Sequence, residues 1–205
     1  ASVLVLGPLL AKTGYAKVAL PGGCAIGSRP VNLHIDFMKK MGAQIFIKDG
    51  YIEARSNGRL KSCEFNFDLV SVTATENALM AACLAEGTTI LKNCAREPEV
   101  SDLAKCLNDC GAQISGIGSN ELIIKGVEQL QGTSFSIMPD RIETATYLVA
   151  TTMTGGEITV KNCQPNSLGA VLMKLEEAGA NIICGDDEIN LKMKENIPIS
   201  TSLST

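Results

Sequence analysis

The chain has 205 residues, 45% of them hydrophobic, and a formal net charge of −4 at pH 7. This length exceeds that of most single domains, and the hydrophobic content is typical of a globular protein with a substantial core. Because nucleic-acid-binding proteins usually present a basic face, the acidic balance argues against a nucleic-acid partner. The apolar start "ASVLVLGPLLAK" is too short to cross a bilayer, so no membrane partner is expected either.

Hydrophobic periodicity predicts six helices and eleven strands. Helices are expected at 1–11, 32–41, 75–85, 101–110, 141–153 and 167–178. Strands are expected at 16–20, 44–48, 51–55, 63–67, 88–92, 113–116, 121–125, 134–137, 157–161, 181–184 and 188–192. The helices at 1–11, 75–85 and 141–153 are apolar almost all round and are expected in the interior, whereas the other three are amphipathic and should face solvent.

These elements form one unit that occurs three times. The segments "MKKMGAQI", "LNDCGAQI" and "LEEAGANI" share a helix end, Gly-Ala and the start of a strand, with Gly42, Gly111 and Gly179 as left-handed stops. A second helix end precedes a strand at Gly14, Gly87 and Gly156. The fold class predicted is therefore α/β, with three β-α-β-α-β-β repeats at about 1–60, 61–130 and 131–195. The first unit lacks its leading strand, and 196–205 resembles a linker or cut edge, so we expect one domain of a longer protein.

The eight cysteines are scattered, without a CxxC pair or a zinc-ligand spacing. With a single histidine in the chain, this pattern predicts no metal site. A chain of this length needs no disulfides for stability, so the cysteines favour a reducing, cytoplasmic location. Cys106 and Cys110 lie four residues apart on a predicted helix and are interpreted, like most of the others, as small core residues.

One loop of the first unit departs from the repeat. Gly14 and Gly42 are 28 positions apart, against 24 and 23 in the other two units, and the surplus lies in "PGGCAIGSRP". A loop lengthened in one copy and filled with Gly, Cys and Arg predicts a functional site. Cys24 is a candidate nucleophile or acid, since a thiol with a pKa of roughly 8.5 ionises readily. Arg29 could bind a phosphate or carboxylate through two hydrogen bonds.

Each of these residues also has a structural interpretation. Cys24 could be a small buried side chain, and Arg29 an ordinary surface charge. His34, the one histidine, could be a structural hydrogen-bonding group rather than part of a site. Glu97 and Arg141 belong to the charged segments "AREPEV" and "PDRIE" of the other two units, where solvated ion pairs are the alternative.

Four segments carry a resemblance to a known family: "LPGGCAIGSRPVNLH", "VSVTATENALMAACLAEGTT", "NCAREPEV" and "PDRIET". They closely resemble the UDP-N-acetylglucosamine enolpyruvyl transferases, also called 1-carboxyvinyltransferases, and the match runs through essentially the whole chain. The resemblance implies the enolpyruvyl transferase fold, an inside-out α/β barrel, in which two domains of three repeats each enclose the active site. This chain would be the domain that bears the cysteine loop, and the second domain, which is absent from it, would be its partner.

The resemblance implies a cytoplasmic transferase of bacterial peptidoglycan synthesis, and thus of cell-wall biogenesis, cell shape and cell division. Its substrates would be UDP-N-acetylglucosamine and phosphoenolpyruvate. The enolpyruvyl group would pass to the 3-hydroxyl with release of phosphate, by addition and then elimination, without a metal or organic cofactor. The aspartate that takes the hydroxyl proton in that family has no match in these 205 residues, so the chain alone is expected to be inactive.

Site residues follow from the resemblance position by position. Cys24 matches the general acid toward the enol methylene, which is also the residue that fosfomycin alkylates. Arg29 matches an arginine that contacts substrate phosphate and the uridine end. Substrate-binding positions would be Arg29, Pro30, Val31, Asn32 and Leu33 for the uridine, and Val70, Ser71, Val72 and Thr73 for the diphosphate. Secondary candidates are His34, Glu97 and Arg141.

Three positions depart from the pattern of the family. Asn32 stands where Asp is common, Thr73 replaces a usual Gly, and Leu69 lies where some relatives carry Lys. These changes are expected to alter substrate affinity rather than the type of reaction.

Two other functions stay open at this point. The shikimate-pathway enolpyruvyl transferase shares the fold but lacks a loop like "PGGCAIGSRPV". A non-catalytic nucleotide-sugar-binding or regulatory module could also be built on these repeats, although Cys24 and Arg29 together weigh against it.

Overall fold

The computed structural model describes residues 2–20, 31–193 and 197–202. The helices are α1 (Leu6–Thr13), α2 (Asn32–Lys40), α3 (Val72–Ala82), α4 (Pro98–Asp109), α5 (Arg141–Thr154) and α6 (Gly169–Glu177), with short 3-10 turns at Ser2–Val5 and Pro165–Ser167. The strands are β1 (Tyr15–Ala19), β2 (Gln44–Lys48), β3 (Tyr51–Arg55), β4 (Glu64–Asn66), β5 (Thr88–Lys92), β6 (Gln113–Ser115), β7 (Glu121–Lys125), β8 (Glu157–Lys161), β9 (Ala180–Cys184) and β10 (Glu188–Met193). None of the helices in these ranges has the length and apolar character to cross a membrane.

The chain divides into two compact units, Ala1–Ser136 and Ile137–Thr205. The first unit contains a three-stranded sheet of order β1-β3-β2 and a four-stranded sheet of order β4-β5-β7-β6. The second unit contains a three-stranded sheet of order β8-β10-β9. In the four-stranded sheet β4 runs parallel to β5, and the other pairings in all three sheets are antiparallel.

The three repeats have the same local geometry. In each repeat the strand after the first helix begins opposite the end, or nearly the end, of the antiparallel strand that pairs with it, at Tyr15↔Arg55, Thr88↔Lys125 and Glu157↔Lys192. The predicted helix stops are confirmed, because Gly42, Gly111 and Gly179 have φ of 92°, 96° and 102°. L side chains rarely adopt such angles, so glycine ends the second helix of every repeat.

Two of the predicted elements differ from the structure. The strand expected at 134–137 was wrong: those described residues form no strand. A β-strand needs ladder hydrogen bonds to a neighbouring strand. Among the described residues β8, the strand with which this segment would have to pair, pairs only with β10. In the third repeat Gly155 (φ 72°), rather than Gly156, takes the left-handed position after α5.

Helix burial agrees with the prediction only in part. Helix α3 buries seven residues of eleven, and the amphipathic helices α2 and α4 each bury one face. The expectation that 141–153 is buried almost all round was wrong. In α5 the buried residues are Thr144, Leu148 and Thr152, whereas Ile142, Tyr147, Val149 and Met153 are exposed. Its contacts within the second unit are with β8, β10 and α6, which cover one side of the helix.

The seven cysteines in the described residues are unpaired. Cys83, Cys94 and Cys163 are buried, as expected of small core residues, and burial raises the pKa of the Cys83 thiol to about 12. Cys184 is exposed on β9, contrary to that interpretation. A thiol with so high a pKa as that of Cys83 stays protonated at neutral pH and behaves as an apolar side chain.

Within the apolar core of the first unit, the side chain of Asn77 has no exposed surface and links three elements by hydrogen bonds. Its Oδ1 accepts a hydrogen bond from the Gly7 N–H at 2.7 Å, and its Nδ2 donates to the Val3 carbonyl at 2.9 Å. The second Nδ2 hydrogen is directed at Nδ1 of His34, 2.9 Å away. One amide on α3 therefore bonds to α1, to the 3-10 turn before it and to α2, and each of its polar atoms has a partner.

This network fixes the protonation state of His34. The Gly7 N–H can only donate and the Val3 carbonyl can only accept, so the orientation of the Asn77 amide is determined. Nδ1 of His34 must then accept, and the ring proton lies on Nε2. His34 is 4% exposed, and burial lowers its pKa to about 4. The imidazole is therefore neutral in the folded chain.

Gly7 is required because α1 and α3 approach closely at this point. A Cβ built on Gly7 would lie 2.3 Å from Oδ1 of Asn77 and 2.5 Å from its backbone carbonyl oxygen. Both distances are too short for a real contact, so any side chain at position 7 would push the two helices apart.

We expect His34 to make the free energy of unfolding fall in mild acid. The unfolded chain binds a proton near pH 6.5 but the folded chain only near pH 4, so this stabilisation is complete above pH 6.5 and is lost as the pH falls through 4. The loss reaches about 3 kcal/mol at pH 4. Urea unfolding between pH 7 and 4 measures it.

The matched control is His34→Gln, because a glutamine Oε1 can accept from Asn77 but does not titrate. The wild type should lose more stability than this variant over the same interval. Parallel pH dependences of the two proteins would contradict the assignment.

Gly7→Ala should destabilise the chain by about 1–3 kcal/mol, because the added methyl overlaps Asn77 and displaces the Gly7 N–H from its acceptor. Gly169→Ala is the control, since a Cβ at this other helical glycine would meet nothing within 4 Å. Thermal unfolding compares the two variants. Equal melting temperatures for them would refute the close-approach argument.

Candidate active site

The amino terminus of α3 forms the best-defined part of the candidate site. Ser71 is the N-cap of the helix, and its Oγ accepts a hydrogen bond from the Ala74 N–H at 3.3 Å. The amides of Val72 and Thr73 are in the first turn, where a helix provides no carbonyl for them. Together with the positive end of the helix dipole, such amides bind anions. The Ser71 hydroxyl can still donate its own proton outward.

The segment predicted to bind the uridine leads into α2. Val31 is the N-cap residue and half-buried, and Asn32 is exposed at the first position of the helix. Leu33 is buried at 7% exposure and belongs to the core of the first unit. A substrate could therefore reach the side chain of Asn32, but mainly the backbone of Leu33.

A cavity of about 510 Å³ lies beside the start of α3. It is lined by Val70, Asn93, Cys94, Arg96, Glu97 and Asn120. The structure thus brings together two sequence-predicted residues, Val70 and Glu97, that are far apart in the chain. Arg96 adds an exposed guanidinium to the same wall as Glu97.

Carboxylates of α3 and of the start of α4 lie near one another, and one of them, Glu97, lines the cavity. Glu97 is the N-cap residue of α4, and its side chain does not bond the helix. Burial raises the pKa of Glu76 on α3, and the negative charges of Glu99 and Glu97 raise it further. A cationic or hydrogen-bond-donating group of a ligand would be favoured near these carboxylates, whereas Arg96 favours an anion.

Asn93 and Asn120 were not singled out from the sequence. Asn93 has a left-handed backbone (φ 56°), and its Nδ2 donates to the Phe67 carbonyl at 2.7 Å. Asn162 holds the same position in the third repeat (φ 53°). The recurrence of "KNC" at the ends of β5 and β8 was the available signal for Asn93, and nothing in the sequence marked Asn120.

Comparison of the three repeats also shows where the first repeat, which contains the cysteine loop, begins to differ from the other two. The N–H groups of Cys94 and Cys163 donate to the Asn120 and Asp187 carbonyls, and the Leu20 N–H donates to Gly50 in the same way. In the other two repeats a left-handed asparagine lies between the last strand residue and the residue that makes this bond, whereas Leu20 directly follows Ala19, the last residue of β1. The Cys24 loop therefore follows a strand end of different geometry.

The remaining predicted residues fall into three groups. Cys24, Arg29 and Pro30 lie outside the described residues. His34 is in the core with Asn77 and not at the cavity. Arg141 is the first residue of α5 in the second unit, directly after Asp140, whose carboxylate caps the helix by accepting from the amides of Ile142 and Glu143.

Several known proteins are similar to the chain in sequence. UDP-N-acetylglucosamine 1-carboxyvinyltransferases from Shewanella amazonensis, Shewanella frigidimarina and Pseudoalteromonas atlantica are 58%, 57% and 56% identical to it over all 205 residues. The chain spans 49% of the length of each of these relatives.

Solved structures confirm the predicted fold class. The enolpyruvyl transferase NikO from Streptomyces tendae matches 93% of the chain with a TM-score of 0.77 at 24% identity, over 46% of its own length. An EPSP synthase from Acinetobacter baumannii matches 94% with a TM-score of 0.64 at 22% identity, over 45% of its length. At these identities the likeness concerns the fold.

A family model covers the chain from end to end. It is described as EPSP synthase (3-phosphoshikimate 1-carboxyvinyltransferase), and it matches residues 1–205. The chain therefore belongs to the EPSP synthase family.

Proposed function

We propose that this chain is the cysteine-bearing half of an enolpyruvyl transferase that acts on UDP-N-acetylglucosamine. The enolpyruvyl group of phosphoenolpyruvate is transferred to the 3-hydroxyl of the sugar, with release of phosphate. This is the first committed step of peptidoglycan synthesis and belongs to the bacterial cytoplasm. The proposal draws on the relatives that are 56–58% identical over the whole chain and on the cysteine loop that links β1 to α2.

The observation that carries the proposal is the anion site at the start of α3. The segment Val70–Thr73 matches the diphosphate-binding segment of the transferases, and its amides are at the positive end of a capped helix. A diphosphate placed there lies beside the 510 Å³ cavity, where Arg96 adds a cationic group. A nucleotide sugar supplies the dianionic centre and the polar ends that this arrangement can bind.

Cys24 is assigned the proton transfer to carbon. As the sugar oxygen attacks C2 of phosphoenolpyruvate, the thiol proton is delivered to C3, and a tetrahedral adduct forms. A proton then passes from C3 back to the Cys24 thiolate as the C2–O bond to phosphate breaks, which restores the double bond and releases phosphate. Arg29 neutralises charge on the phosphate. The group that accepts the 3-hydroxyl proton belongs to the other half of the enzyme.

A shikimate substrate is the main alternative, since the family model carries that name. The 58% identity to UDP-N-acetylglucosamine transferases and the presence of Cys24 favour the nucleotide sugar. A binding module without catalysis would retain the anion-binding amides but would have no use for a cysteine in a lengthened loop. Alkylation of Cys24 by fosfomycin separates these functions, because it requires a reactive sulfur next to a phosphate site.

Residues 1–205 alone should show no transferase activity, because they provide neither the general base nor all of the phosphate ligands. Phosphate release from phosphoenolpyruvate is the measurement, with and without UDP-N-acetylglucosamine. The full-length polypeptide that contains the chain is the positive control. Turnover by residues 1–205 that needs both the sugar nucleotide and Cys24 would disprove this division of the site.

In the full-length polypeptide, Cys24→Ser should reduce turnover by roughly 100-fold or more, because a hydroxyl is too weak an acid to donate at neutral pH. Cys24→Asp should retain much of the activity with a lower pH optimum, since an aspartic acid has a pKa of about 3.9 unless its surroundings raise it. Both variants should escape alkylation by fosfomycin. The measurements are pH–rate profiles and mass spectrometry after treatment with the inhibitor.

Cys184→Ser is the matched control, because it removes an exposed thiol of the second unit that the proposal does not use. It should leave turnover and alkylation as in the wild type. If the Cys24→Asp enzyme is as inactive as the Cys24→Ser enzyme, the loop supplies sulfur nucleophilicity instead of acidity.

A further inference from the structure

The hydroxyl of Thr75 connects two separate parts of the candidate site. Thr75 lies in the second turn of α3 and has no exposed surface. Its Oγ1 donates to the Ser71 carbonyl at 2.8 Å and accepts from the Ala95 N–H at 3.1 Å. A buried side chain of α3 thus bonds the N-cap residue of its own helix and a backbone amide of the loop between β5 and α4.

Both bonded segments adjoin residues that line the 510 Å³ cavity. Val70 directly precedes Ser71, and Arg96 and Glu97 directly follow Ala95. The loop is also held at its start, where Asn93 bonds the Phe67 carbonyl and the Cys94 N–H bonds the Asn120 carbonyl. Of these three bonds, the one to Thr75 joins the loop to α3 and lies nearest to Arg96.

We infer that Thr75 is a positioning residue for nucleotide-sugar binding. Its hydroxyl sets the distance between the diphosphate-binding amides of Val72 and Thr73 and the side chains of Arg96 and Glu97. Thr75 does not touch the substrate, because it is fully buried. The inference rests on the proposed function, and nothing in the relatives' names or in the resemblance assigns this residue a role.

Thr75→Val is the informative substitution, since it replaces the hydroxyl by a methyl of nearly the same size. The buried Ala95 N–H then loses its acceptor, and a buried amide without a partner is unfavourable. The segment around Ala95 must move to let that amide reach water, which takes Arg96 away from the start of α3. Thr75→Ser keeps the hydroxyl and should keep the loop in place.

Steady-state kinetics and hydrogen exchange on the full-length polypeptide test the inference. Thr75→Val should raise the KM for UDP-N-acetylglucosamine about ten-fold and change kcat less than about three-fold. The reason is that the side chains of Arg96 and Glu97 interact equally with the bound substrate and with the transition state. Exchange at the Ala95 amide should become at least about ten-fold faster, since its protecting hydrogen bond is lost. Thr75→Ser should stay close to the wild type in both measurements.

Thr152→Val is the matched control for a merely structural effect. Thr152 is also buried, at 4% exposure, but its hydroxyl bonds the Leu148 carbonyl of its own helix α5. The same chemical change there should leave the KM and the Ala95 exchange unaltered.

Each outcome is decisive. A wild-type polypeptide that transfers no enolpyruvyl group to UDP-N-acetylglucosamine would overturn the proposed function and this inference with it. An active wild type whose Thr75→Val variant has the same KM as Thr75→Ser would overturn the inference alone. Equal loss of kcat and rise of KM in Thr75→Val and Thr152→Val would also overturn it, because general destabilisation would then explain both.

Discussion

Three helices of the first unit meet at a single buried amide. Asn77 satisfies the Gly7 N–H, the Val3 carbonyl and Nδ1 of His34 at once, and it can do so only where α1, α2 and α3 meet at fixed separations. Hydrogen bonds are directional, so this arrangement specifies the positions of three helices more narrowly than apolar packing does. Its requirements explain both the absence of a side chain at position 7 and the neutral state of the histidine.

The candidate site is built on the same helix. Asn77 fixes α3 in the core, while Ser71 caps its amino terminus and Thr75 joins that terminus to the β5–α4 loop. A helix is stiff over two turns, so the position of the amides proposed to bind the diphosphate follows from the buried contacts of Asn77 and Thr75. The exposed groups that would contact substrate are thus supported by polar side chains that do not contact it.

The repeat provides a frame in which one copy can be changed without altering the others. All three repeats share strand register and the glycine at the end of the second helix. They differ just after β1, β5 and β8, where Asn93 and Asn162 add a left-handed residue that the first repeat does not have after Ala19. A change at this end of a strand lengthens the connection to the next helix while the sheet and its core contacts stay as they are.

The sequence alone determined the local elements and the repeat, because hydrophobic period and left-handed glycines are properties of neighbouring residues. Through the resemblance it also predicted Val70–Thr73 and Glu97 as site residues, and the structure places Val70 and Glu97 at one cavity. The tertiary structure decided what depends on distant partners. Residues 134–137 lack a ladder partner, α5 is covered on one side, and His34 has Asn77 beside it. Thr75 was undetectable from sequence, since its role arises from an amide twenty residues away that only folding brings within 3.1 Å of its hydroxyl.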